Sequence, residues 1–233
     1  MTLRAVLFDA GGTLIHPDYR RVAAVMQRVV GRAPPREAFV AAEYAGRAAI
    51  EAVMNGDGAS TDGGRWTAHF LAMFADLGFT SEEIRALAPP VQAEHRAANL
   101  WTDPQPGAAE GLASLREAGY LVGCVSNADG TVDKLLAGAG FAEHLAFVVD
   151  SGAVGIEKPD PRIFDLALAL AAVRPEEALY VGDLYPVDVV GARRAGIEPV
   201  LLDPLGRYAD RDCRTARDVP SLCRELVALT PVV

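Results

Sequence analysis

Lysine is nearly absent from this 233-residue chain: Lys134 and Lys158 are its only two, and 22 basic residues in all face 31 acidic ones. The net charge of −9 and a pI near 4.9 repel polyanions, which excludes general binding to nucleic acid or an anionic membrane. Any cationic group that matters must therefore act locally. Cysteine is also scarce. Cys124, Cys213 and Cys223 form no metal-type spacing, and an odd count argues against a disulfide framework. No apolar run approaches the ~20 residues that span a bilayer, and the first apolar run meets a charge too early for a signal sequence. The cytoplasm is the expected compartment. Internal repeats and low-complexity segments are lacking as well. What is present is a hydrophobic fraction of 51%, enough to fill the core of one large domain or of a domain carrying an insertion.

The chain is organised around Ala5-Val6-Leu7-Phe8-Asp9-Ala10-Gly11-Gly12-Thr13-Leu14, an apolar run that stops on a carboxylate and then on paired glycines. This pattern predicts a buried parallel strand presenting Asp9 at its carboxyl end, where ligands bind in open α/β sheets. Gly11 and Gly12 allow a sharp turn and close backbone approach, and Thr13 adds a hydroxyl beside exposed N–H groups, a combination suited to an anion.

Beyond this point the periodicity is helical. Val22, Val25, Met26, Val29 and Val30 mark a helix stopped by Pro34-Pro35, and a second helix is expected from about Arg36 to Met54. Asn55 to Gly64 reads as a mobile loop. Trp66, Phe70, Met73, Phe74 and Leu77 mark a further helix, and Thr80-Ser81-Glu82-Glu83 reads as another helix start. Pro89-Pro90 is expected either to interrupt that helix or to begin one more. Residues 16–100 thus form an all-helical block, expected to be a separate lid-like domain. From Asp103 onward strands alternate with helices: strands near Tyr120–Val125, Ala146–Val149, Leu179–Val181 and Pro199–Leu202, and helices near 132–139, 162–170 and 187–195. That grammar predicts an α/β fold with a doubly wound, mainly parallel sheet built from residues 1–15 and 101–233.

Three of the apolar strands end on distinct polar groups: Asp9, Ser126-Asn127 and Asp183. Lys158 lies in a loop between them, and Asp188 follows Asp183 by one turn. Converging carboxylates suit a hard cation such as Mg²⁺, and a lysine at the same rim neutralises remaining charge. Hydroxyl and amide donors suit phosphate oxygens.

With these residues in order, the chain resembles the haloacid dehalogenase-like hydrolases, most of which are Mg²⁺-dependent phosphatases acting through an aspartyl-phosphate. The matches are Asp9-Ala10-Gly11-Gly12-Thr13-Leu14, Ser126-Asn127, Lys158-Pro159 and Gly182-Asp183-Leu184-Tyr185-Pro186-Val187-Asp188. The resemblance implies a Rossmann-like core with a helical cap. It implies Asp9 as nucleophile and metal ligand, the Gly11 carbonyl and Asp183 as further metal ligands, and Asp188 as metal support through water. It also implies Thr13, Ser126, Asn127 and Lys158 as phosphate-binding residues, with Lys158 restraining Asp9, and a small phosphate monoester as substrate.

One departure matters. Most phosphatases of the family carry a second Asp two residues after the nucleophile, as general acid/base; here that position is Gly11. A positioned acid/base is worth about 10²–10⁴ in rate, so the expectation is a slow phosphatase, a substitute residue such as His16, Glu43, Tyr44 or His69, or a different reaction. The family's phosphonate-cleaving branch needs a cap lysine, which neither Lys134 nor Lys158 supplies. The metal-free dehalogenase branch fits the Gly182-Asp183…Asp188 pattern less well. A metal- and anion-binding module without efficient turnover is the non-enzymatic alternative.

Overall fold

The computed structural model describes residues 2–55 and 62–229. In chain order its elements begin with β1 (Ala5–Phe8), β2 (Ile15–Pro17), α1 (Tyr19–Val30), α2 (Arg36–Asn55), α3 (Asp62–Asp76), α4 (Ser81–Ala97), β3 (Trp101–Pro104), α5 (Ala108–Glu117) and β4 (Leu121–Ser126). They continue with α6 (Val132–Gly138), β5 (Phe147–Asp150), α7 (Ser151–Val154), α8 (Pro161–Ala171), β6 (Ala178–Gly182), α9 (Val190–Arg194), β7 (Glu198–Leu202), β8 (Arg214–Ala216) and α10 (Val219–Leu229). Two compact units result: Met1–His16 with Thr102–Val233, and Pro17–Trp101.

The first unit is an α/β layer fold around a six-stranded sheet of order β5-β4-β1-β6-β7-β8, with every pairing parallel. β1, β4 and β6 are buried along nearly their whole length, which explains their continuous apolar character. On one face Ala5, Leu7, Val125 and Tyr180 pack with Ile163, Phe164, Ala167 and Leu168 of α8 and Ala192 of α9. On the other side α5 packs against α10 and β4. Successive strands run outward from β1 in both directions, β4 then β5 one way and β6 then β7 then β8 the other. The winding therefore reverses at β1, and the crevice at such a switch point opens beyond the carboxyl ends of β1, β4 and β6.

The second unit is a helical bundle whose core comprises Val22, Val25 and Met26 of α1, Phe39 and Ala42 of α2, Phe70, Met73 and Phe74 of α3, and Leu87 and Val91 of α4. Helix α1 starts on Asp18, whose carboxylate accepts from the Arg20 N–H, and stops at Gly31 in the left-handed region, φ 74°.

Several local expectations are corrected. Pro89-Pro90 neither interrupts α4 nor begins a new helix; both lie inside one helix whose start is held by a Thr80/Glu83 capping box. The tertiary burial of Leu87 and Val91 on either side outweighs the two missing N–H donors. Asn55 closes α2 and Asp62–Gly64 belong to α3, so only 56–61 of the expected loop remain, and those fall outside the described residues. The helix expected over 187–195 is a π-helical turn, Tyr185–Val189, running into α9. Strands β2, β3 and β8 and helices α7 and α10 go beyond the elements expected from the sequence; β2 and β3 form a separate two-stranded sheet.

Candidate active site

The loop after β1 is built on one carbonyl. Ala10 O accepts from the N–H groups of Thr13, Leu14 and Ile15, at 3.3, 2.8 and 2.9 Å. Gly12 turns the chain at φ 76°, and a Cβ there would stand 2.3 Å from Asp183 Oδ2, so glycine is required twice over. Gly11 lies outside the left-handed region, so it is not glycine for reasons of φ. Thr13 Oγ1, in the turn that follows Asp9, is buried and has no hydrogen-bond partner among the described residues. A buried hydroxyl so placed costs free energy until something binds it.

Asp9 continues β1 by donating its N–H to Val181 O at 2.8 Å. Its Oδ1 accepts from Ala10 N at 2.7 Å and from Lys158 Nζ at 2.8 Å. Burial pushes the Asp9 carboxyl up to about 6, with Lys158 opposing the rise and Asp188 adding to it. Lys158 Nζ also donates to Asp188 Oδ1 at 2.9 Å and to the Tyr180 hydroxyl at 2.9 Å. Burial works against the Lys158 charge, but Asp188 and Asp9 outweigh it and hold the lysine above its ordinary pKa, permanently charged.

Asp188 supports Asp183 directly. Its Oδ2 accepts from the Asp183 and Leu184 N–H groups at 3.1 and 2.9 Å, which draws the π-helical turn back on itself. A Cβ on Gly182 would meet the Asp188 carboxyl carbon at 2.3 Å, so this contact requires glycine there. Asp9, Asp183 and Asp188 each bring one oxygen into a cluster no wider than 4.8 Å, and all three are buried.

Ser126 ends β4 in register with Asp150 at the end of β5. The Asp150 carboxylate accepts from the N–H groups of Gly130, Val132 and Gly152, and Ser151 Oγ bridges the Ala128 N–H and carbonyl. These bonds fix the loop that leaves Ser126. Asn127 holds the lysine segment: its Oδ1 accepts from Lys158 N at 2.8 Å and its Nδ2 donates to Lys158 O at 2.9 Å. One donor and one acceptor position of the amide are used on the main chain of Lys158, which precedes a cis proline, and Nδ2 carries a second N–H. Replacing Asn127 by Ala is expected to cost about 1–3 kcal/mol, because two partly buried main-chain groups lose their partner. Calorimetric unfolding checks this, at about 2–4 °C per kcal/mol for a chain of this size. An unchanged midpoint accompanied by weaker phosphate binding would mark Asn127 as an anion ligand rather than a structural one.

The four residues considered as substitute acids lie in different settings. A His16 ring nitrogen is 2.8 Å from Gln105 Oε1. Glu43 is buried in the helical unit, accepting from the Tyr19 hydroxyl and from Arg47 Nη2 at 3.4 Å. The Arg47 guanidinium stands over the Tyr44 ring at 5.5 Å. Burial holds His69 below its ordinary pKa and thus neutral, against the pull of Glu43.

Tyr180 is the site residue that sequence reasoning missed. Its one signal was a lone polar atom inside the wholly buried strand Leu179-Tyr180-Val181, and such a hydroxyl almost always finds a partner. Burial, followed by Asp188 and Asp9, raises its pKa well above the ordinary value, so the phenol keeps its proton.

The profile of the haloacid dehalogenase-like hydrolases matches residues 3–196. The chain belongs to that family. It is 35% identical over 211 residues to a phosphoserine phosphatase of Thermus thermophilus, covering 86% of this chain and 81% of that one. It is 36% identical over 154 residues to a glyceraldehyde 3-phosphate phosphatase of Methanopyrus kandleri, covering 65% of each. Its fold is similar to that of a magnesium-bound hydrolase of the family from Bacillus subtilis, with a TM-score of 0.66 at 18% identity over 97% of this chain and 99% of that one. The family's sheet with flanking helices is the fold of the first unit, and among the described residues no helix is long and apolar enough to cross a membrane.

Proposed function

We propose that this hydrolase is a cytoplasmic phosphatase for a small phosphorylated metabolite, working through an aspartyl-phosphate on Asp9. One observation carries the reading: the carboxylate that ends the central strand has its Oδ1 held by Lys158 and the Ala10 N–H, in the crevice where the winding reverses. Oδ2 is then the attacking oxygen. It forms a bond to phosphorus as the bond from phosphorus to the leaving oxygen breaks. In the second half, water attacks the same phosphorus, the aspartate leaves, and inorganic phosphate is released. Thr13 Oγ1 and Ser126 donate to the phosphoryl oxygens, and the Lys158 charge beside Asp9 offsets the negative charge gathered there. The phosphatase names of two relatives support this substrate class.

The residues fit a hard divalent cation. Three buried carboxylates face one buried ammonium, an excess of negative charge that is costly without a cation, and the donors are all oxygen. Asp9, the Gly11 carbonyl and Asp183 would hold Mg²⁺, with Asp188 as support. Once bound, the ion would lower the charge repulsion between phosphate and carboxylate. The helical unit acts as the cap. Gly11 leaves the leaving group without the usual acid, so slow turnover of unactivated esters belongs to this reading.

The test is phosphate release from a panel of phosphorylated metabolites with and without Mg²⁺, beside calorimetric Mg²⁺ titration of wild type and Asp183→Asn. Mg²⁺-dependent release, and at least about tenfold weaker Mg²⁺ binding by Asp183→Asn, are expected. Equal affinity in the two proteins rejects the metal site. Chloride release from 2-chloropropionate without phosphate release rejects the phosphatase.

A further inference from the structure

An ammonium group has three N–H donors, and Lys158 spends all three inside the protein: on Asp9 at 2.8 Å, Asp188 at 2.9 Å and the Tyr180 hydroxyl at 2.9 Å. Two of these partners belong to the matched sequence motifs and carry charge. Tyr180 does neither, yet it completes the set. Its hydroxyl lies within donating distance of two acceptors, Val125 O at 3.0 Å and Asp188 Oδ1 at 3.2 Å. Val125 immediately precedes Ser126 on β4. One phenol oxygen therefore accepts from the lysine and lies against both Asp188 and the strand that carries the serine. The ring cannot drift, being fully buried and in edge contact with Phe164 at 4.9 Å.

We propose that Tyr180 is a positioning residue that sets Lys158 relative to Ser126, so that the charge of the ammonium stands beside the phosphoryl group that the Ser126 hydroxyl holds. The proposal rests on the phosphatase reading above. Asn127 pins the main chain of the lysine, Tyr180 pins its far end, and four rotatable side-chain bonds lie between. Without the hydroxyl, one ammonium proton has no acceptor and the group can turn away from its bisecting position between Asp9 and Asp188. Small misplacements of a charge beside the reacting atoms act on the chemical step more than on ground-state binding.

The experiment is Tyr180→Phe, which keeps every carbon of the ring and its contact with Phe164. Expected is a fall of about 10- to 100-fold in kcat with KM for the phosphate ester changed by less than about threefold. In a Lys158→Arg background, whose guanidinium cannot take the same three acceptors, Tyr180→Phe is expected to cost less than about threefold, because the two residues act as one unit. Unchanged kcat overturns the proposal, and so does an equal fold-loss in both backgrounds, which marks a structural effect independent of the lysine. If Tyr180→Phe does not fold, 3-fluorotyrosine placed at position 180 weakens the phenol as an acceptor without altering packing; a fall of about two- to fivefold in kcat at constant unfolding midpoint supports the proposal, and no change overturns it. Wild type that neither releases phosphate nor binds inorganic phosphate by calorimetry overturns the phosphatase reading together with this one, a result distinct from an unaffected Tyr180 variant.

Discussion

Asp9→Asn is expected to abolish turnover, with kcat falling on the order of 10⁴–10⁶-fold, because the side chain that forms the covalent bond is replaced by an amide that cannot. The substitution is nearly isosteric, and one amide oxygen can still accept from Ala10 N and Lys158 Nζ, so the fold is expected to survive. Burial already disfavours charge at this position, which is why Asp9 is pushed up to about 6, and a neutral side chain relieves that cost. Folded but inactive protein is therefore the expected outcome. Steady-state phosphate release and thermal unfolding measured on one preparation check both halves. Trapping with beryllofluoride adds a direct readout: the acyl-phosphate mimic should add to wild type and not to Asp9→Asn. Activity surviving within tenfold of wild type rejects Asp9 as nucleophile.

Gly11→Asp is expected to raise turnover of an alkyl phosphate by on the order of 10–10³-fold while changing turnover of an activated aryl phosphate little. An alkoxide needs a proton as it leaves; a nitrophenolate does not. Gly11 is not among the glycines at positive φ, so φ does not oppose this change. The neighbouring position provides the contrast. Gly12 has φ 76°, and a Cβ there would come within 2.3 Å of Asp183 Oδ2, so Gly12→Asp is expected to disrupt the carboxylate cluster and lose activity on both substrates. A folded Gly11→Asp variant that binds Mg²⁺ as wild type does, yet gains nothing on alkyl phosphates, would point to an existing surrogate among His16, Glu43, Tyr44 and His69.

Much of the site can be read before any coordinates, because its residues are poor choices for any purely structural purpose. A carboxylate, a serine and a second carboxylate ending three otherwise apolar strands have no bland explanation as a set. Parallel strands that are buried on both faces read as continuous apolar runs, so β1, β4 and β6 announce themselves. Weaker patterns do not. The short edge strand β8 lacks such a run, with none of its three residues buried, and it exists only because β7 offers it an unpaired edge. The helix through Pro89-Pro90 contradicts local propensity and persists because buried side chains on both sides of the prolines hold it.

The sequence by itself determined the fold class and pointed to the helical insertion and to Asp9, Lys158, Asp183 and Asp188 as candidates, since periodicity and strand-end chemistry are local properties of the chain. Only the tertiary structure decided who touches whom. That Asn127 holds the Lys158 main chain is visible only once β4 and the loop after α7 are brought together. Tyr180 looks like one more core aromatic until β6 lies beside β1 and its hydroxyl meets the ammonium. Gly12 looks like a turn residue until Asp183 packs against it. In each case the deciding partner lies far away in sequence, and hydrogen bonding and close contact depend on distances of a few ångströms that no spacing along the chain encodes.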